Sequence, residues 1–228
     1  MRYRVQILGW TLIWSGLFIF GYLGWQLYGT DWVNAGVQAE AAGELAVVLS
    51  SAEPEPETVD TEGLLETETV EFVPEEPVAI GESFGFLTIP GIGVDRVVIY
   101  EGVDRETLQK GPGHMEVTPL PGQAGNAVIS GHRTTYGRPF FDMDLLGVGD
   151  RIEVETAAGT HVYEVRSTTV VAPTDVWVID PRPGGWLTLT TCNPKFSARE
   201  RLVVFAEMIA GPNFEYIELN KARLEEPT

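Results

Sequence analysis

Between residues 83 and 210 the chain is a series of short apolar runs: FLTIP, VVIY, NAVISGH, RIEVET, HVYEVRSTTVV, WLTLTTC and RLVVFAEM. They are rich in β-branched and aromatic residues, and Gly, Pro or Asp punctuates most of their boundaries, which is the pattern of strands. Within this region the pattern predicts a helix only at DRETLQKG. Many short strands with few helices predict an antiparallel sandwich or barrel. The polar tail, 211–228, is expected to be peripheral.

The N-terminal pattern is different. Residues 6–28 carry no formal charge and are dense in Leu, Ile, Phe and Trp. A hydrocarbon core about 30 Å thick takes about 20 helical residues, so this run predicts a transmembrane helix. Trp10, Trp25, Tyr28 and Trp32 sit near its ends, where amphipathic rings favour the interface. Arg2 and Arg4 precede the run, and the next Lys or Arg is Arg96. That asymmetry predicts a single-pass anchor in the cell membrane, with the N-terminus cytoplasmic and the remainder extracellular. Ala39-Glu40-Ala41 resembles a signal-peptidase site. However, it lies well beyond the run, and the run exceeds the roughly 7–15 residues of a signal-peptide core.

Charge divides the rest. The chain of 228 residues has a formal net charge of −18. Residues 31–82 hold 14 of the 33 acids and no Lys or Arg, whereas residues 83–210 hold 15 acids against 11 bases. Residues 33–49 are Ala-rich and predict a helical continuation of the anchor for a few turns. Residues 50–82 are acidic and interrupted by proline, so the segment self-repels and buries too little apolar surface to order itself. An extended, solvated stalk is expected, in preference to docking through its apolar pairs Leu64-Leu65 and Phe72-Val73. The expected organisation is an anchor over 1–30, a stalk over 31–82, a folded domain over 83–210 and a tail over 211–228. No basic face appears, so a nucleic-acid partner is not expected.

The chain has one cysteine, Cys192. On the outer side of a membrane an unpaired thiol is a candidate for chemistry. Alternation along 186–192 puts Leu187, Leu189 and Thr191 on one face and Thr188, Thr190 and Cys192 on the more polar one. Asn193-Pro194 then stops the strand, leaving the thiol at a strand end beside a loop. A nucleophilic thiol needs a base or ion-pair partner. His132 ends the run NAVISGH and opens a loop, and so ranks above His114, in a Gly-Pro-Gly-His turn, and His161, which reads as an exposed strand-start residue. Acyl transfer also needs a donor for the developing oxyanion. Arg199 and Arg201 both precede an apolar run, and spacing does not choose between them. One cysteine and three scattered histidines lack metal-ligand spacing, so neither metal nor other cofactor is expected.

Four stretches together resemble a sortase: GPGH at 111–114, NAVISGHRTTYG at 126–137, TLTTCNP at 188–194 and RLVVFA at 201–206. Tyr-Gly after His-Arg-Thr-Thr, and Cys-Asn-Pro, look most like class E sortases of high-GC Gram-positive bacteria. The resemblance covers 83–210 and implies a mainly β, sortase-type closed β-barrel with short helices. It implies a cysteine transpeptidase with Cys192 as nucleophile, His132 as its acid–base partner and Arg201 as the oxyanion group. Thr191 and Tyr136 would line the substrate groove, and His114 would not be catalytic. The implied substrates are secreted proteins bearing an L-P-x-T-G or L-A-x-T-G signal, cleaved between Thr and Gly. The implied acceptor is a peptidoglycan precursor or another amine. Two other readings stand beside it: a hydrolytic cysteine peptidase on the same scaffold, and a non-catalytic envelope binding module with a structural thiol. An L,D-transpeptidase is disfavoured because no Ser-His-Gly-Cys pattern surrounds Cys192.

Overall fold

The structure is a computed structural model that describes residues 2–52 and 71–224. Helix α1 (Arg2–Gly24) is one helix long and apolar enough to cross a membrane, over Tyr3–Gly24. Its large side chains, such as Phe18 and Phe20, are exposed. A π-helical turn (Trp25–Gly29) leads into helix α2 (Thr30–Ala52). Gly29 leaves room in that turn for the Trp25 ring, from which a Cβ would stand 2.4 Å.

The helical continuation is longer than expected, and it is docked rather than free. Leu45 of α2 is buried in a small cluster with Phe86, Val98 and Tyr100. Gln38 accepts from Val98 N at 2.8 Å and donates to Lys110 O at 2.7 Å. Asn34, also buried, donates to the carbonyls of Gln109 and Lys110. The expectation of a free stalk therefore fails over residues 31–52, where small Ala side chains and buried amides let the helix lie against the barrel.

Eight strands close the barrel: β1 (Ser83–Ile89), β2 (Val94–Glu101), β3 (Gly113–His114), β4 (Gly125–Ser130), β5 (Arg151–Thr156), β6 (Gly159–Val171), β7 (Gly185–Asn193) and β8 (Glu200–Ala210). Their spatial order is β1-β2-β3-β4-β7-β8-β6-β5, and β5 returns to pair with β1. The expectation of an antiparallel arrangement is only partly met. Two neighbour pairs, β2 with β3 and β4 with β7, are parallel. A parallel pair needs a long crossover, here residues 131–184, which carry β5 and β6 round the barrel.

The core is the barrel interior, filled by Leu87, Ile99, Ile129, Ile152, Leu187 and Val204 among others. Each such side chain contributes about 1.5–3 kcal/mol on burial. Strand β8 is buried on both faces, because Val203 and Phe205 point outward under Val171 and Val178. Helix α3 (Arg105–Lys110) matches the predicted helix, and the Asp104 carboxylate caps it by accepting from Glu106 N and Thr107 N.

Two expectations at the periphery need correction. The tail folds into helix α4 (Phe214–Leu224), whose Ile217 is buried in the barrel's core cluster. The end of the acidic segment is also docked: Phe72 lies 5.3 Å from the Tyr216 ring. Val73 exchanges two 2.8 Å hydrogen bonds with the Asn213 amide. Asn213 is fully buried, so these bonds satisfy an amide that would otherwise be stranded. Leu64-Leu65 lies outside the described residues.

Candidate active site

The parallel pairing of β4 with β7 assembles the site. Ser130 lies opposite Thr190, and Gly131 N donates to Thr190 O at 3.1 Å. Two residues beyond each of these positions come His132 and Cys192, at the same end of the barrel. On the other flank of β7, Cys192 is directly paired with Arg201 of β8. Three consecutive strands in space thus bring His132, Cys192 and Arg201 to one rim. An antiparallel β4–β7 pair would have put the histidine and the thiol at opposite ends.

Alternation decides which way the thiol faces. Thr191 is buried, and its Oγ1 donates to Gly131 O at 2.7 Å. Cys192 therefore points to the outer face, as expected, and is half-buried and free. Thr191 acts on the strand pair itself, tying the residue before Cys192 to the residue before His132. Thr188 departs from the expected polar, open face. It is fully buried, and its hydroxyl donates to Asn126 Oδ1 at 2.6 Å. Asn126 in turn donates to the carbonyls of Val178 and Asp180 in the loop that covers this face.

His132 is half-buried, and its desolvation lowers its pKa from the ordinary value of 6.5. The Tyr136 ring lies 4.9 Å from the imidazole at an interplanar angle of 41°. Arg201 donates through Nη1 to Ala198 O and Glu200 O, both at 3.0 Å. Among the described residues its Nε and Nη2 have no protein partner, so they retain donors for an incoming group. Arg199 is largely exposed and faces Glu200 at 3.9 Å.

Sequence reasoning passed over Arg133. Its side chain is only 4% exposed. It donates to Asn193 Oδ1 at 2.6 Å and to Cys192 O at 3.3 Å, and pairs with Asp144 at 2.8 Å. The signal was adjacency to His132. A lone arginine in a polar loop gives no sign that it will turn inward.

The other two histidines lie elsewhere. His114 is buried, with Nδ1 2.8 Å from Glu101 Oε2 and Nε2 3.0 Å from Pro119 O. His161 corrects the expectation of an exposed residue. It has no exposed surface, its Nε2 lies 3.2 Å from Thr156 Oγ1, and a Cβ on Gly122 would overlap its ring at 2.1 Å. As the third residue of β6 it faces inward, where Gly122 leaves it room.

The closed barrel carries a half-buried thiol, an imidazole and a guanidinium at one rim, groups suited to acyl transfer through a thioester. A model described as the sortase domain matches residues 87–209. The chain is 37% identical over 145 residues to sortase SrtE1 of Streptomyces coelicolor, covering 57% of this chain and 41% of that relative, less than half its length. Sortase E from Streptomyces avermitilis is 37% identical at a TM-score of 0.53, with 58% of this chain and 91% of that one covered. A Clostridium perfringens sortase D5 transpeptidase is 26% identical at a TM-score of 0.61, with 77% and 99% covered. The chain belongs to the sortase family and is similar to its class E members.

Proposed function

We propose that this chain is a membrane-anchored sortase that cleaves an L-P-x-T-G or L-A-x-T-G signal between Thr and Gly and transfers the protein to a cell-wall amine. The observation that carries the reading is the register across β4, β7 and β8, which sets His132 and Arg201 on either side of Cys192.

The Cys192 thiolate attacks the threonine carbonyl carbon, and the negative charge moves to the carbonyl oxygen. Arg201 stabilises that oxyanion with the donors its loop carbonyls leave free. When the C–N bond breaks, the leaving glycine amine takes a proton from the His132 imidazolium, and a thioester to Cys192 remains. An acceptor amine attacks the thioester and loses its proton to the His132 imidazole. The thiolate leaves, and an amide has formed. Thr191 holds the strand pair that carries the two groups, while Tyr136 packs on the imidazole and lines the groove beside it. The apolar helix supports an anchor, and Arg2 and Arg4 before it, with no further Lys or Arg until Arg96, favour an N-terminus inside and the barrel outside. Tethering would raise the effective concentration of both substrates.

The test uses the full chain in detergent with a fluorogenic L-A-x-T-G peptide and a small amine. An amide product that disappears in Cys192→Ala is expected. Cleavage that survives this substitution would sink the reading, and acid product alone would make the chain a hydrolytic peptidase. Topology has its own readout. Labelling of Cys192 by a membrane-impermeant maleimide on intact cells supports an outward barrel, and protection of the thiol until lysis contradicts it.

A further inference from the structure

The first turn of α2 grips the loop that follows His132. Gly137 N donates to Asp31 Oδ1 at 2.9 Å, and Arg138 Nε pairs with Asp31 Oδ2 at 2.8 Å. Tyr136 N reaches Thr30 Oγ1 at 3.5 Å. The loop needs such a grip. Tyr136, Gly137 and Arg138 are consecutive left-handed residues, with φ of 53°, 77° and 50°. Two of these carry side chains that disfavour the conformation, so surrounding contacts must hold it. At Gly137 the approach is so close that a Cβ would stand 2.2 Å from Asn34 Oδ1 of α2. The ring of Tyr136 then rests on the imidazole of His132. The helix that grips is itself fixed, through the Asn34 and Gln38 bonds to the barrel backbone.

On the reading that His132 is the acid–base group, we propose that Asp31 is a positioning residue. It clamps the 136–138 loop in its left-handed shape, and through Tyr136 it sets the imidazole's pose against Cys192. The helix joined to the membrane anchor is thereby part of the active-site scaffold. A chain cut at residue 83 lacks the clamp.

The experiment compares variants of the full chain in detergent micelles. Asp31→Ala removes both carboxylate contacts. It should lower kcat for peptide transfer about tenfold, as when a charge-assisted hydrogen bond that orients a reacting group is lost, with KM changed less than about twofold. The His132 ring resonance should also shift, because the Tyr136 ring above it moves. Arg138→Ala keeps the Gly137 bond and should cost about threefold in kcat. Gln38→Ala breaks its own helix–barrel bonds but none to the loop, while Asn34 still holds the helix; it should lower thermal stability and reduce kcat by much less than Asp31→Ala does. A folded Asp31→Ala enzyme with wild-type kcat overturns the proposal. So do equal kcat losses in Asp31→Ala and Gln38→Ala, which would make α2 merely structural. Activity surviving in His132→Ala would instead refute the catalytic reading on which the proposal rests.

Discussion

The guanidinium of Arg133 donates to the main-chain oxygen of Cys192, 3.3 Å away, and to the side chain of the next residue, Asn193, at 2.6 Å. The loop that presents His132 therefore holds β7 by its end. Consecutive side chains diverge here: His132 stays at the rim, and Arg133 turns inward to the backbone of the thiol-bearing strand.

Removing Arg133 should uncouple the loop from the strand. Arg133→Ala strips charge-assisted bonds from partly buried partners and should cost about 2–3 kcal/mol of stability, read by urea unfolding. Peptide transfer by the folded protein should fall about tenfold or more. Arg133→Lys keeps the charge but loses the planar fork, so it should recover part of the stability and little of the rate. A wild-type rate in Arg133→Ala would remove the residue from any positioning role.

His132 and His161 should separate cleanly, by different observables. His132→Ala should abolish transfer with a small change in stability, because the ring is only half-buried. His161→Ala opens a cavity under Gly122, while Thr156 keeps its hydrogen bond to Glu75, for a cost of about 1–3 kcal/mol. Transfer per folded molecule should be largely kept. Equal loss of turnover in both variants would contradict the assignment.

Burial lowers the His132 pKa below its ordinary 6.5. Below that value the unfolded chain binds more protons at this residue than the folded one, so stability falls as pH drops towards the folded-state pKa. Above it the penalty vanishes. The loss of stability between about pH 7.5 and about pH 5.5 should therefore be smaller in His132→Gln than in the wild type. An NMR titration should place the His132 midpoint below 6.5. A midpoint above that value would mean the imidazole is held in its charged form.

The docked end of the acidic segment should depend on Asn213, which bonds both backbone groups of Val73 and donates to Gly122 O at 3.1 Å. Asn213→Ala should cost about 1–3 kcal/mol and strip hydrogen-exchange protection from Val73. Undiminished protection at Val73 would show that the Phe72–Tyr216 contact suffices.

Much of this was legible in local pattern. The seven apolar runs fall on strands, and the Asp-capped run at 105–110 is a helix. Period-2 alternation put Leu187 and Leu189 in the core and Cys192 on the outer face. Other features were not legible. Helix α4 is anchored by Ile217 with Phe214 and Tyr216 packed beside it, a stripe confined to the first turn and too short to register. Docking of α2 rests on the amides of Asn34 and Gln38, residues that in a sequence read as solvated. Alternation also failed at Thr188, because a later loop covers the strand's outer face there.

By itself the sequence determined the elements: an apolar segment long enough to span a membrane, a set of strands, and one thiol at a strand's open end. It did so because hydrophobic period and turn chemistry are local properties. Only the tertiary structure decided that β4 and β7 run parallel, and hence that His132 and Cys192 share a rim. It alone set Arg133 beneath them and Asp31 behind the histidine loop. Register between strands about sixty residues apart is settled by which side chains fill one closed barrel together, and no local pattern carries that information.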